Sequence, residues 1–159
     1  MSASSTSIWT RQPPSGQDLV WLLSRLVEDV PHARSALLLS SDGLKKAAHG
    51  LDADGADHLS AIASGLFSLA RSAGNRFGNS EGVRQVVAEL DDTLLFVSAA
   101  GAGAVLAVLA DRDVDPGVLG YQMSQLVKSV RRHLATPART PPATSEPKPP
   151  GSSRTRRTY

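Results

Sequence analysis

Between Val83 and Ala110 the chain carries three β-runs, Val83 to Leu90, Thr93 to Ala100 and Ala104 to Ala110, joined only by Asp91-Asp92 and by Gly101-Ala102-Gly103. Connections of two and three residues close hairpins, whereas a parallel crossover needs about a dozen residues or more. The three runs therefore form an antiparallel meander. The first is the most polar, with Arg84, Gln85 and Glu89, and reads as an edge strand, a template on which a second copy can pair. The other two, with Leu94-Leu95-Phe96-Val97 and Val105-Leu106-Ala107-Val108-Leu109, read as central. No connection leaves a loop long enough to assemble a reactive site, so function is expected on a surface.

The segments before and after the meander change period. Ser15 followed by Asp18 is a capping-box-like start, and Leu19, Leu22, Leu23, Leu26, Val27 and Val30 then make one helical stripe that Pro31 stops. Trp21 lies beside that stripe, as a core or rim aromatic or as an exposed anchor for a partner. Arg34 to Ser40 contains the continuous run Ala36-Leu37-Leu38-Leu39, which suits a strand covered by helices on both faces. Ser41-Asp42-Gly43 turns it into a second strand, Leu44 to His49. A closing helix starts at Asp115 as N-cap with Pro116 in the first helical position, buries Leu119, Met123, Leu126, Val127, Val130 and Leu134, and is stopped by Pro137.

The helix from Asp54 to about Phe77 has two stripes. Leu59, Ile62, Ala63, Leu66, Phe67, Ala70 and Ala73 are expected on the sheet. Beside them run Ala61, Ser64, Gly65, Ser68 and Ser72, all small enough for another backbone to approach closely. Gly65 costs about 1 kcal/mol of helix propensity relative to Ala. Either a helix pair across a dimer axis compensates, or the helix is simply Ala/Ser-rich in an alanine-rich chain.

With 159 residues and 41% hydrophobic composition, the chain supports one domain with a real core. Residues 16–136 carry 11 basic and 14 acidic residues, so the basic pI of 9.3 comes from the ends. Pro137 to Tyr159 has five bases against one acid and six of the ten prolines; it is expected to be a disordered, solubilising tail, or one whose RTRR cluster touches a phosphate surface or an acidic partner. Residues 1–15 are likewise expected to be disordered, leaving 16–136 as the domain. An acidic ordered surface with 4% aromatics does not suit nucleic acid, and strands filled with Leu, Val and Ala offer no polar pocket for a small-molecule sensor. Without cysteine, an apolar leader or about 18 consecutive apolar residues, the expected location is the cytoplasm.

Catalytic constellations are equally missing. His32, His49, His58 and His133 have no metal-ligand spacing, and Asp52, Asp54 and Asp57 are explained by capping of the long helix. Gly101-Ala102-Gly103 is not a dinucleotide fingerprint, and there is no P-loop motif. Neither enzymatic activity nor a cofactor is expected.

The order helix, hairpin, long helix, three-strand meander, helix over residues 16–136 resembles the Roadblock/LC7 domain. The stretch VPHARSALLLSSDGL, residues 30–44, is similar to the bacterial roadblock proteins of actinobacterial conservon operons, which also include a small Ras-like GTPase and a sensor-kinase-like protein. The resemblance implies an α+β fold with a five-stranded antiparallel sheet in the order 2-1-5-4-3, the long helix on one face and the two terminal helices on the other. It implies a non-enzymatic homodimer that regulates or scaffolds a small Ras-like GTPase, with GTPase activation by reshaping of the GTPase's own switch regions, and with the sensor-kinase-like protein as a further partner. Membrane association would be indirect, through partners. The alternatives are a structural scaffold or a sensor domain without such activation. Candidate dimer residues are Ala61, Ser64, Gly65, Ser68, Ser72, Val83, Gln85 and Val87; candidate GTPase contacts are Arg71, Asn75 and Arg76.

Overall fold

The structure, a computed structural model, describes residues 16–80 and 82–134. The elements are α1 (Gly16–Asp29), β1 (Ala33–Ser40), β2 (Lys45–His49), α2 (Ala53–Phe77), β3 (Gln85–Glu89), β4 (Thr93–Ala99), β5 (Ala104–Asp111) and α3 (Pro116–Leu134). Every strand pairs antiparallel, and the sheet order is β2-β1-β5-β4-β3. This is the α+β architecture expected above. The expected capping role of Ser15, and the two terminal segments, lie outside the described residues.

The sheet separates two cores because alternate residues of each strand point to opposite faces. Ala36 and Leu38 of β1, Leu94 and Phe96 of β4, and Leu106, Val108 and Ala110 of β5 pack with Leu19, Leu23 and Leu26 of α1 and Leu119, Met123 and Val130 of α3. Leu37, Leu39, Leu95, Val97, Val105 and Ala107 face the other way, against Ala56, Leu59, Ala63 and Phe67 of α2. The unbroken apolar run of β1 thus has a simple cause: both of its faces are covered. The first and last helices share one face and the long helix has the other to itself.

Local chemistry closes the connections. Asp52 caps α2, its Oδ1 accepting the Gly55 N–H at 2.7 Å, and Asp115 caps α3 through bonds from Gly117 N–H at 2.8 Å and Val118 N–H at 3.2 Å. The β4–β5 turn takes three successive positive φ angles, at Gly101, Ala102 and Gly103. A left-handed backbone is adopted at little cost by glycine alone, which explains the two glycines at its ends. The β3 strand is shorter than the expected Val83 to Leu90, since Leu90 N–H already closes the turn onto the Thr93 carbonyl at 2.8 Å.

The long helix is rotated relative to its expected apolar stripe. Ala56 and Ser60 are buried with Leu59, Ala63 and Phe67, while Ile62 is 51% exposed and Ala73 is exposed. The small residues Ala56, Ser60 and Ala63 let the helix axis approach the sheet, and the Ser60 hydroxyl is satisfied by donating to the Ala56 carbonyl at 2.8 Å. At about 100° per residue the buried face is centred between Leu59 and Phe67, and Ile62 falls well outside it. Among the described residues, no helix is long and apolar enough to cross a membrane.

Candidate protein interaction surface

Rotation of α2 onto its small residues leaves an unusual outer face. Ala61, Ile62, Gly65, Ser68, Leu69 and Ser72 are all exposed, Leu69 at 70%. A Cβ added at Gly65 would meet no atom within 4 Å, so nothing in this chain requires glycine there. Two large aliphatic side chains therefore stand in solvent beside a flat strip of small ones, a combination that suits close approach of another helix.

Ser64, placed with that strip from the sequence, has a different setting. Its hydroxyl donates to the Ser41 carbonyl at 3.2 Å, and Gly43 of the β1–β2 turn sits where an added Cβ would lie 3.5 Å from Ser64 Cβ. It ties α2 to the hairpin of its own chain. Lys45 of β2 strengthens the same junction, 3.7 Å from Asp57.

The edge strand divides its side chains between the two faces. Val86 and Ala88, with Val83 just before the strand, are half-buried against the α2 core. Gln85, Val87 and Glu89 alternate to the opposite face and are exposed; Val87 stands opposite Phe96, which belongs to the α1 and α3 core. The candidate residues thus fall in two groups on opposite faces, joined by the edge itself. β3 pairs with β4 on one side only, leaving the backbone donors and acceptors of its other side unused by the sheet.

The candidate contact residues of the last turns of α2 are exposed as well. Arg71 stacks over the Phe67 ring at 5.2 Å, and Asn75 and Arg76 precede Phe77, which is 86% exposed. The Gly78 N–H closes this end onto the Gly74 carbonyl at 2.8 Å. Exposed Phe77 is the residue that sequence reasoning missed. Its position as the last helical residue was visible, but the burial of a terminal aromatic is decided by what packs beyond the helix.

Among the described residues no three His, Asp or Glu side chains gather as metal ligands. The concavity beside Asp54, Asp57, His58 and Ala61 is open to solvent, and Asp57 is engaged with Lys45.

Comparison with known proteins agrees with the fold. The family model of the Roadblock/LC7 domain matches residues 19–110. A crystal structure of a Roadblock/LC7 domain from Streptomyces avermitilis is 65% identical, covering 74% of this chain and 98% of that one, with a TM-score of 0.72. A second Streptomyces avermitilis Roadblock/LC7 domain is 38% identical over 70% of this chain and 96% of its own, with a TM-score of 0.58. Myxococcus xanthus MglB, at 16% identity, covers 76% of this chain and 90% of its own with a TM-score of 0.67, a likeness of fold alone. No match was found among curated proteins. With its sheet order, its two-sided core and a sequence shared with actinobacterial relatives, the chain belongs to the Roadblock/LC7 family, whose domains are non-catalytic modules for protein–protein interaction.

Proposed function

We propose that the protein is a homodimeric regulator or adaptor of a small Ras-like GTPase, assembled through α2 and the β3 edge. The observation that carries this reading is the outer face of α2, where Ile62 and Leu69 stand exposed beside Ala61, Gly65, Ser68 and Ser72. A two-fold axis beside β3 would join the two sheets edge to edge and set the two long helices side by side on one face. The two aliphatic side chains would then leave water, at about 1 kcal/mol or more each. Val87 and Gln85 of both copies would meet across the opposite face of the joined sheet.

The dimer offers a GTPase a wide surface with cations at its margins. Arg71, Asn75 and Arg76 are the proposed contacts, and their exposure near the end of α2 supports that role. Binding would act on the GTPase by shifting the population of its switch conformations, without a group contributed to the reaction. The resemblance to conservon roadblock proteins supports a signalling complex that also holds a sensor-kinase-like protein.

The test is single-turnover GTP hydrolysis by the GTPase encoded beside this protein, with and without it. Acceleration is expected for an activator; binding without acceleration marks an adaptor, and no binding in either nucleotide state overturns the GTPase reading. The dimer is tested separately by sedimentation of Gly65→Arg. This variant leaves the chain folded, because the site is open, and is expected to be monomeric.

A further inference from the structure

Three of the charged side chains around α2 are already engaged within the chain. Asp52 caps the helix, Asp57 lies 3.7 Å from Lys45, and the Arg71 guanidinium stands 5.2 Å from the Phe67 ring centroid. Asp54 in the first turn and Arg76 in the last are the exception. Both are exposed, and among the described residues neither side chain takes part in an ion pair or a hydrogen bond. They stand about six turns apart, roughly 33 Å along the axis, so one helix cannot bring them together.

The two charges nevertheless share one side of α2. At about 100° per residue, Asp54, Ile62, Gly65, Leu69 and Arg76 fall within about 80° of arc. This is the strip on which Ile62 is 51% and Leu69 70% exposed. Ser64 and Asp57 lie farther round, where they hold the β1–β2 hairpin through Ser41 and Lys45, so the strip is turned away from that hairpin. Gly65 is its midpoint: Asp54 and Arg76 lie equally far before and after it, and Ile62 and Leu69 lie three and four positions to either side.

A lone helix has no use for that symmetry, but a two-fold pair does. In an antiparallel pair each residue faces the one equally far beyond the crossing point on the other helix. Crossing at Gly65, where an added Cβ would meet no atom of this chain within 4 Å, sets Ile62 of one copy beside Leu69 of the other. It also sets Asp54 of each copy opposite Arg76 of the other. A parallel two-fold pair would set Asp54 against Asp54 and Arg76 against Arg76, like charges that repel.

We propose that α2 crosses α2 of a second copy at Gly65, and that reciprocal Asp54–Arg76 bridges between the copies lock this antiparallel register. The inference rests on the dimer proposed above and goes further by fixing its register and its charged ends. Arg76, proposed there as a GTPase contact, then stands beside Asp54 of the second copy, so each such contact is built by both chains. An acid at the start of a helix and a base at its end also suit the helix's own macrodipole. That role involves one chain only and gives no exchange of charges between chains.

The experiment uses full-length Asp54→Arg, Arg76→Asp and the doubly reversed protein, with association constants measured by sedimentation at low ionic strength, where surface charge is least screened. Each single variant is expected to self-associate about tenfold more weakly than the unmutated protein, because two attractive contacts become two repulsive ones. An equimolar mixture of the two single variants restores both bridges and is expected to associate as the unmutated protein does, as is the doubly reversed chain. Unmutated strength in either single variant overturns the proposal, and so does a mixture that stays as weak as its components. An unmutated protein that is monomeric at every concentration removes the dimer reading and this register with it; a firm dimer indifferent to the reversals removes the register alone.

Discussion

The guanidinium of Arg34, near the start of β1, holds Asp111 at the end of β5 through a 3.0 Å contact from Nε to Oδ1, while its NH2 group donates to Thr93 Oγ1 at 2.7 Å. One side chain thus ties β1, β5 and the start of β4 at one end of the sheet. The Asp111 N–H donates to the His32 carbonyl at 2.8 Å in the same corner. Both charged side chains are about half exposed, so the pair is screened by solvent and contributes at most about 1 kcal/mol. Arg34→Met should lower the melting temperature by only a few degrees. The difference from the unmutated protein should shrink further in 1 M salt, which thermal unfolding at two salt concentrations would reveal.

Gly50 and Gly101 have nearly the same φ, 77° and 75°, but different neighbours. A Cβ at Gly50 would lie 2.5 Å from the Arg34 carbonyl oxygen, part of the β1 backbone; at Gly101 it would lie 2.5 Å from Nε of Arg131, a side chain able to swing away. Both alanine variants carry the left-handed penalty of about 1–2 kcal/mol. Gly50→Ala adds a clash that the sheet cannot relieve, for a total of roughly 2–4 kcal/mol. Urea unfolding should therefore rank Gly50→Ala as clearly the less stable, and equal stabilities would show that β1 can yield there.

Phe67 and Leu69 sit two positions apart on α2 and face opposite ways, at 6% and 70% exposure. Phe67→Ala empties part of the core and should cost about 3–5 kcal/mol. Leu69→Ala should change monomer stability by no more than about 0.5 kcal/mol. Its effect is expected instead on self-association, read by sedimentation over a range of concentrations. A Leu69 variant with an unaltered association constant would remove this residue from the proposed interface.

Ser98 on β4 has a buried hydroxyl with no hydrogen-bond partner among the described residues. An unsatisfied buried polar atom costs about 1–3 kcal/mol. Ser98→Ala is accordingly expected to be neutral or stabilising by about 1 kcal/mol, a rise of a few degrees in melting temperature. A marked loss of stability would mean that the hydroxyl is bonded in solution.

Much of the architecture was legible from short-range features. Asp52 and Asp115 as caps, Pro31 as a stop and the two tight connections around β4 all express rules that act within a few residues. The alternation of the β1 run, Ala36 and Leu38 to one face and Leu37 and Leu39 to the other, follows from the pleat once both faces are known to be covered. The edge position of β3 was readable from its polar residues.

What the chain by itself determined is therefore the set of elements, their antiparallel meander and the side of each terminal helix that must be buried, because periodicity and connection length are local properties. Its family resemblance supplied the sheet order, which no local rule dictates, since β1 lies beside β5 through pairing of residues such as Leu38 and Leu106 that are distant in sequence. The rotation of α2 was left to the tertiary structure. Ile62 and Leu66 border the same apolar stripe, and only the close approach allowed by Ala56, Ser60 and Ala63 decides that Leu66 is half-buried while Ile62 stands in solvent. Which of Val86 and Val87 faces α2 was likewise fixed by the register with Val97 and Phe96. In each case the deciding energy is the packing of one element against another, which a helical or strand period limits to a few choices without selecting among them.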